Sequence, residues 1–215
     1  MRVVGCVNGY QDVDMLKHSL PALRRFVDFL VVVDGAYKKF PLYNDNPEST
    51  DGSLAIAQEY ADLIIFARRD QVSKETIPWQ DEIQKRCAYL KTGYSDDYFF
   101  ICDADEIPVG TLDRHELLKQ DDWMVMLSRV NDHVKPYPIH RLFRHRPGIR
   151  YHGTHHAIHI GTKLIHPNSV KKNIFPGLRL DHLHMLRDKD RVEKKGEYYR
   201  SLQVDEAAFR SKEGL

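Results

Sequence analysis

Four short apolar runs punctuate the first half of the chain: Arg2 to Val7, Phe29 to Val33, Leu63 to Phe66 and Tyr98 to Cys102. They are continuous rather than alternating, so each strand must be covered on both faces. The segments between them have helical spacing. Met15, Leu16, Leu20, Leu23 and Phe26 share one face, with Pro21 expected to split or kink the helix. Leu54-Ala55-Ile56-Ala57 follows a capping stretch, Thr50-Asp51-Gly52, and Pro78 to Leu90 reads as a helix with proline near its start. The order β-α-β-α-β-α-β predicts an α/β fold, a mostly parallel sheet with helices on both faces.

Ligands of such sheets bind beyond the carboxyl ends of the strands. Three predicted strands end there in polar residues: Asn8, Asp34, and the cluster Asp103-Ala104-Asp105-Glu106. The second half is richer in strands, predicted at Trp123 to Val130, Ile139 to Arg144, Ile149 to Tyr151, Ala157 to Ile160 and Leu178 to Leu183, before a final helix from about Asp188 to Leu202. Ten of the 12 histidines fall between His133 and His184, so the two halves differ chemically. No linker composition separates them. The expectation is one domain of 215 residues, made of two halves, 1–106 and 107–215.

The formal charge of +1 leaves no strong nucleic-acid signature. Neither a signal-peptide core nor a membrane-length apolar run is present, and the three cysteines suit reduced thiols better than a disulfide framework. A cytoplasmic protein without a membrane anchor is expected. There is no GxGxxG, no GxxxxGK[ST] and no CxxC pair, which argues against a dinucleotide cofactor, a P-loop and a zinc ribbon.

Carboxylates at i and i+2 beyond a buried strand converge on one hard cation. Mg²⁺ or Mn²⁺ takes oxygen ligands and keeps positions for phosphate oxygens and water. Asp103 and Asp105 are the metal-ligand expectations. A plain acidic loop is the alternative.

The same residues carry a resemblance. Val31-Val32-Val33-Asp34-Gly35 and Ser49-Thr50-Asp51-Gly52-Ser53 resemble the "VVDDGSTDGT" signature of family 2 glycosyltransferases, split here by an insertion from Ala36 to Glu48. Asp103-Ala104-Asp105-Glu106-Ile107-Pro108 resembles their D-x-D segment, and Arg141-Leu142-Phe143-Arg144, Gly148 to Gly153 and His182-Leu183-His184 match more loosely. The resemblance implies a GT-A type, Rossmann-like fold and a metal-dependent transferase using a nucleotide-sugar, UDP-linked, with an unassigned acceptor; 1–106 would be the nucleotide-sugar half, with Asn8 among its nucleotide-binding residues, and 107–215 the acceptor half. It implies that Asp34 contacts the base, that Asp103 lies near ribose and metal, and that Asp105 binds the metal.

A late histidine ligates the metal in several GT-A enzymes, so His182 or His184 is a further expected ligand, with His184 favoured because it lies closer to the strand's end. The two share a face if the stretch is extended. His156 matches a family histidine usually followed by Glu, but Ala157 stands here and removes the usual base. Asp132, Glu106 and Asp181 are the remaining bases; a retaining reaction would need none. Lys85 and Arg86 are expected either to reach the diphosphate or to be solvated surface, and Arg141 and Arg144 carry the same two readings. The rival functions are a nucleotidyltransferase or phosphohydrolase on a similar sheet, and a non-catalytic sugar-nucleotide binder.

Overall fold

In the computed structural model the first apolar runs become adjacent parallel strands. The structure describes residues 1–40, 43–70, 72–119, 124–131, 134–152, 154–165, 174–183, 189–194, 196–198 and 200. In chain order the elements of the first half are β1 (Val3–Gly9), α1 (Val13–Arg24), β2 (Phe29–Asp34), α2 (Ser53–Tyr60), β3 (Leu63–Ile65), the hairpin β4 (Arg68–Arg69) and β5 (Thr76–Ile77), α3 (Glu82–Leu90) and β6 (Tyr98–Asp103). Then come β7 (Glu106–Gly110), α4 (Arg114–Lys119), β8 (Met124–Asn131), β9 (Val134–Arg144), β10 (Ile149–His152), β11 (Thr154–Ile160), β12 (Lys163–Ile165) and β13 (Ile174–His182).

One eight-stranded sheet has the order β3-β2-β1-β6-β9-β8-β13-β7. Strands β3, β2, β1 and β6 are parallel, β8 and β13 are parallel, and β9 and β7 run against their neighbours. This is the expected α/β architecture, a mainly parallel sheet flanked by helices with a more β-rich second half. Both halves contribute to the one sheet. A second sheet, β10-β11-β12, packs through Ile149, Tyr151 and Ile158 on the side of α3.

The continuous apolar runs are explained by two cores. Val3, Val7, Leu30, Val32, Tyr98 and Phe100 face α1, whose Met15, Leu16, Leu20 and Leu23 are buried against them. Val4, Cys6, Val31, Val33, Phe99 and Ile101 face Tyr89 and Leu90 of α3. Each fully buried side chain of this kind contributes about 1.5–3 kcal/mol. Cys6 and Cys102 are buried in these cores and all three cysteines are free thiols.

Three local expectations are corrected. Helix α1 continues through Pro21, which costs it one ladder hydrogen bond and does not split it. Helix α3 begins at Glu82 rather than near Pro78, because Trp79 is used in an extended bridge to Tyr37 and Asp81 caps the helix by accepting from Gln84 N at 2.7 Å. The short elements β4, β5, β7, α4 and β12 were not anticipated. The final helix is present at 189–194 and 196–198, and its expected continuation to Leu202 lies outside the described residues. No helix among the described residues is long and apolar enough to cross a membrane.

Candidate functional site

The carboxyl ends of β2, β1 and β6 lie side by side: Asn8 is in register with Val33 on one side and Asp103 on the other, and Gly9 with Asp34. Residues distant in sequence thus share one edge. At Gly35 the chain turns with φ +108°, and a Cβ would meet Ala67 Cβ at 2.7 Å and Pro47 O at 2.9 Å, so only glycine fits.

Asp34 is only 2% exposed. Its Oδ2 accepts from Ser49 N at 3.0 Å and its Oδ1 from Ser49 Oγ at 2.6 Å, while its carbonyl accepts from Trp79 Nε1 at 2.8 Å. The carboxylate therefore closes the 36–48 insertion back onto the strand end. The two halves of the split signature are rejoined by this contact. Asp51, in the second half, accepts from Val13 N and Ser53 N, both at 2.9 Å, and so anchors the first residues of α1 and α2 together.

Lys85 and Arg86 are not solvated surface; both are buried. The Lys85 ammonium donates to Gly9 O at 2.7 Å and Gly35 O at 2.6 Å, tying the ends of β1 and β2. Burial pushes its pKa down to about 8, against the pull of nearby Asp34 and Asp12. Arg86 donates to Glu82 Oε1 at 2.9 Å and Asp103 Oδ1 at 3.0 Å. Burial opposes its charge, but Asp103 and Glu82 outweigh burial and hold its pKa above the ordinary arginine value.

Arg141 on β9 completes this network from the other side. It donates to Asp103 Oδ2 at 2.5 Å, to Glu106 Oε1 at 2.8 Å and through Nε to Glu106 Oε2 at 3.0 Å. Glu106 is 0% exposed and also accepts from Asp103 N at 2.9 Å. As a base it would have no route to an acceptor; it is the buried anchor of Arg141. Arg144, by contrast, donates to Tyr98 Oη at 3.1 Å, away from the acidic cluster.

Asp105 pairs with a histidine. Its Oδ2 lies 3.1 Å from His182 Nε2, with side chains 11% and 15% exposed. The pairing of β13 with β7 brings them together: His182 is in register with Glu106, and Leu183 N donates to the Asp105 carbonyl at 2.7 Å. Asp181, the neighbour of His182, points to the opposite face of β13 and is paired with Arg179 at 2.9 Å. His184 and Asp132 lie outside the described residues, as do the side chains of His155 and His156.

Two ligands at about 2.1 Å from one cation and at right angles to each other are about 3.0 Å apart. The Asp105–His182 separation therefore fits one edge of a metal's coordination shell. Asp103 fits less well, because a guanidinium already occupies each of its oxygens. Among the described residues, no group of three or more His, Cys, Asp or Glu side chains gathers as a metal site.

Two contacts had no signal in the sequence. Arg191 of the last helical segment donates to Tyr10 O and Asp12 Oδ1, both at 2.8 Å. Tyr198 meets Tyr37 with ring centroids 5.8 Å apart. Together they lay the helical segments at 189–194 and 196–198 against the loops after β1 and β2.

No protein-family model and no curated protein sequence matches this chain. Among solved structures it is similar to S. aureus TarS 1–349, with a TM-score of 0.43 and 17% identity over 65% of this chain and 39% of that one. TarS 1–349 in complex with UDP gives a TM-score of 0.43 at 15% identity, over 65% and 38%. The complex with UDP-GlcNAc gives 0.40 at 16%, over 65% and 37%. The match thus spans about two-fifths of the length of the TarS 1–349 structure.

Proposed function

We propose that this protein is a metal-assisted glycosyltransferase that takes a sugar from a UDP-linked nucleotide-sugar. The observation that carries the reading is the Asp105–His182 pair, an oxygen and a nitrogen ligand 3.1 Å apart at the carboxyl edge of a mainly parallel sheet. Bound there, Mn²⁺ or Mg²⁺ would offset the charge that grows on the leaving diphosphate. The chain's own residues prepare that position. Arg86 and Arg141 hold Asp103 in one orientation, Glu106 holds Arg141, and the Leu183 hydrogen bond to the Asp105 carbonyl fixes the turn.

In the transfer, the bond from the sugar's C1 to the phosphate oxygen breaks and a bond from C1 to the acceptor oxygen forms. The acceptor hydroxyl's proton leaves in either course: a protein base would take it if the reaction inverts, and the departing diphosphate oxygen would take it if the reaction retains. Burial removes Glu106 from that role and the facing direction removes Asp181, which leaves Asp132 as the proposed base.

The test is calorimetry of UDP and UDP-GlcNAc with Mn²⁺ and with chelator, followed by product analysis. Metal-dependent binding and release of UDP support the reading. Pyrophosphate or inorganic phosphate as product would favour a nucleotidyltransferase or phosphohydrolase, and binding without turnover a sugar-nucleotide binder.

A further inference from the structure

The histidine-rich second half supplies His182 to the candidate site. A different pair, His152 and His159, meets on the second sheet, with ring centroids 4.9 Å apart and ring planes at 75°. Strand alternation puts both on the outer face of that sheet. Tyr151 and Ile158 pack on the side of α3, so their neighbours His152 and His159 face away from it. His152 is exposed and His159 half-buried.

The register explains how they meet. His159 stands opposite Arg150, and His152 is the next residue of β10 on that face, so the two imidazoles are diagonal cross-strand neighbours. The regular ladder stops at this point: Tyr151 pairs with Ile158, but His152 pairs with Thr154. The ring contact therefore joins β10 to β11 where their even pairing ends.

The spacing suits a shared metal ion. An imidazole nitrogen binds Zn²⁺ at about 2.0–2.1 Å, which puts the ring centroid about 3.2 Å from the metal. Two rings on one ion are then about 4.5 Å apart at a right angle and about 5.2 Å apart at the tetrahedral angle. The separation of 4.9 Å falls between these limits. Imidazole suits zinc, copper and nickel, whereas Mg²⁺ prefers oxygen ligands.

We propose that His152 and His159 form a two-histidine site for Zn²⁺ or a similar late transition-metal ion, with water in the remaining positions. Each neutral imidazole gives the metal one lone pair and keeps its proton on the other nitrogen. Among the described residues no third His, Cys, Asp or Glu side chain joins the pair, so the ion exchanges rather than forming a closed structural centre. The Arg150 cation on the same face weakens binding further. The bound ion ties β10 to β11 beyond the end of the regular ladder. Tyr151 of β10 in turn accepts from the Tyr89 hydroxyl of α3 at 3.0 Å, so the clamp steadies the sheet that covers α3. This site does not rest on the nucleotide-sugar reading.

The experiment is calorimetry of the full chain with Zn²⁺ in the presence of excess Mg²⁺. His152→Phe and His159→Phe each keep a ring and remove its nitrogens, and His152→Gln and His159→Gln are the second pair should phenylalanine disturb the sheet. Each variant should weaken Zn²⁺ binding about 100-fold. His115→Ala, an exposed histidine of α4, and Asp105→Asn should keep wild-type affinity for this site. Zn²⁺ at about ten times its dissociation constant should raise the wild-type melting temperature by about 3–5 °C and leave that of the Phe variants unchanged. Metal-free melts show that each variant folds. Wild-type Zn²⁺ affinity in a folded variant at either histidine overturns the proposal. So does a wild-type protein that binds no Zn²⁺, or binding lost with Asp105→Asn instead. UDP is absent from every arm, so failure of the glycosyltransferase reading is a separate outcome.

Discussion

Arg141 and Glu106 meet in a two-point contact, at 2.8 and 3.0 Å, with Glu106 sealed from solvent and Arg141 almost so. The Nη2 that donates to Glu106 Oε1 also donates to Asp103 Oδ2. A single side chain thus divides the acidic cluster into two kinds of carboxylate: Asp103 and Glu106 are tied to arginine, and Asp105 is turned toward His182.

Breaking the buried pair from one side leaves an uncompensated charge. Arg141→Met should destabilise the fold by about 3–5 kcal/mol. Urea unfolding measures it, and Arg141→Met with wild-type stability would show that the pair holds nothing together. Asp105→Asn, in contrast, should change stability by no more than about 1 kcal/mol while abolishing metal-dependent binding of UDP.

His182→Ala should raise the Mn²⁺ concentration needed for half-maximal UDP binding by about tenfold or more. His184→Ala is the comparison. A rise with His184→Ala alone would transfer the ligand role two residues along and leave the Asp105–His182 contact as an ordinary hydrogen bond.

Asp34 was expected to serve the nucleotide, yet its oxygens hold Ser49. Asp34→Ala strands a buried Ser49 N–H and should cost about 1–3 kcal/mol of stability in the absence of any ligand. A melt unchanged from wild type, with weakened UDP binding, would favour the base-contact role over the structural one.

Lys85 links stability to pH. Its pKa is about 8 in the fold against an ordinary value of 10.5, so between these values the unfolded chain binds the extra proton. The contribution of this group to stability is therefore lowest below pH 8 and rises as pH climbs toward 10.5. The neutral amine still has two N–H groups for its two carbonyl partners. The stability difference between wild type and Lys85→Met should shift in favour of wild type by about 1–2 kcal/mol from pH 7.5 to 9.5. A difference that stays flat with pH would place the ammonium's proton outside this range.

The sequence by itself determined the parallel sheet, because Val3 to Val7, Phe29 to Val33 and Tyr98 to Cys102 carry apolar residues at every position and can only be covered from both sides. It also determined that polar residues would gather at the carboxyl edge, since strand ends and the first polar residue coincide at Asn8, Asp34 and Asp103. What it did not determine was the task of each charge. Lys85 and Arg86 read equally as diphosphate ligands or as surface because helical spacing does not show which face a long cationic side chain takes, and only the packing of α3 on the sheet buried both. The pairing of Asp105 with His182 spans 77 positions and depends on β13 lying between β8 and β7, a placement no local pattern encodes. Local periodicity fixes which faces are apolar; the partner of each buried charge is chosen by long-range strand order, because a charge removed from water must be matched by whatever group the tertiary fold brings to it.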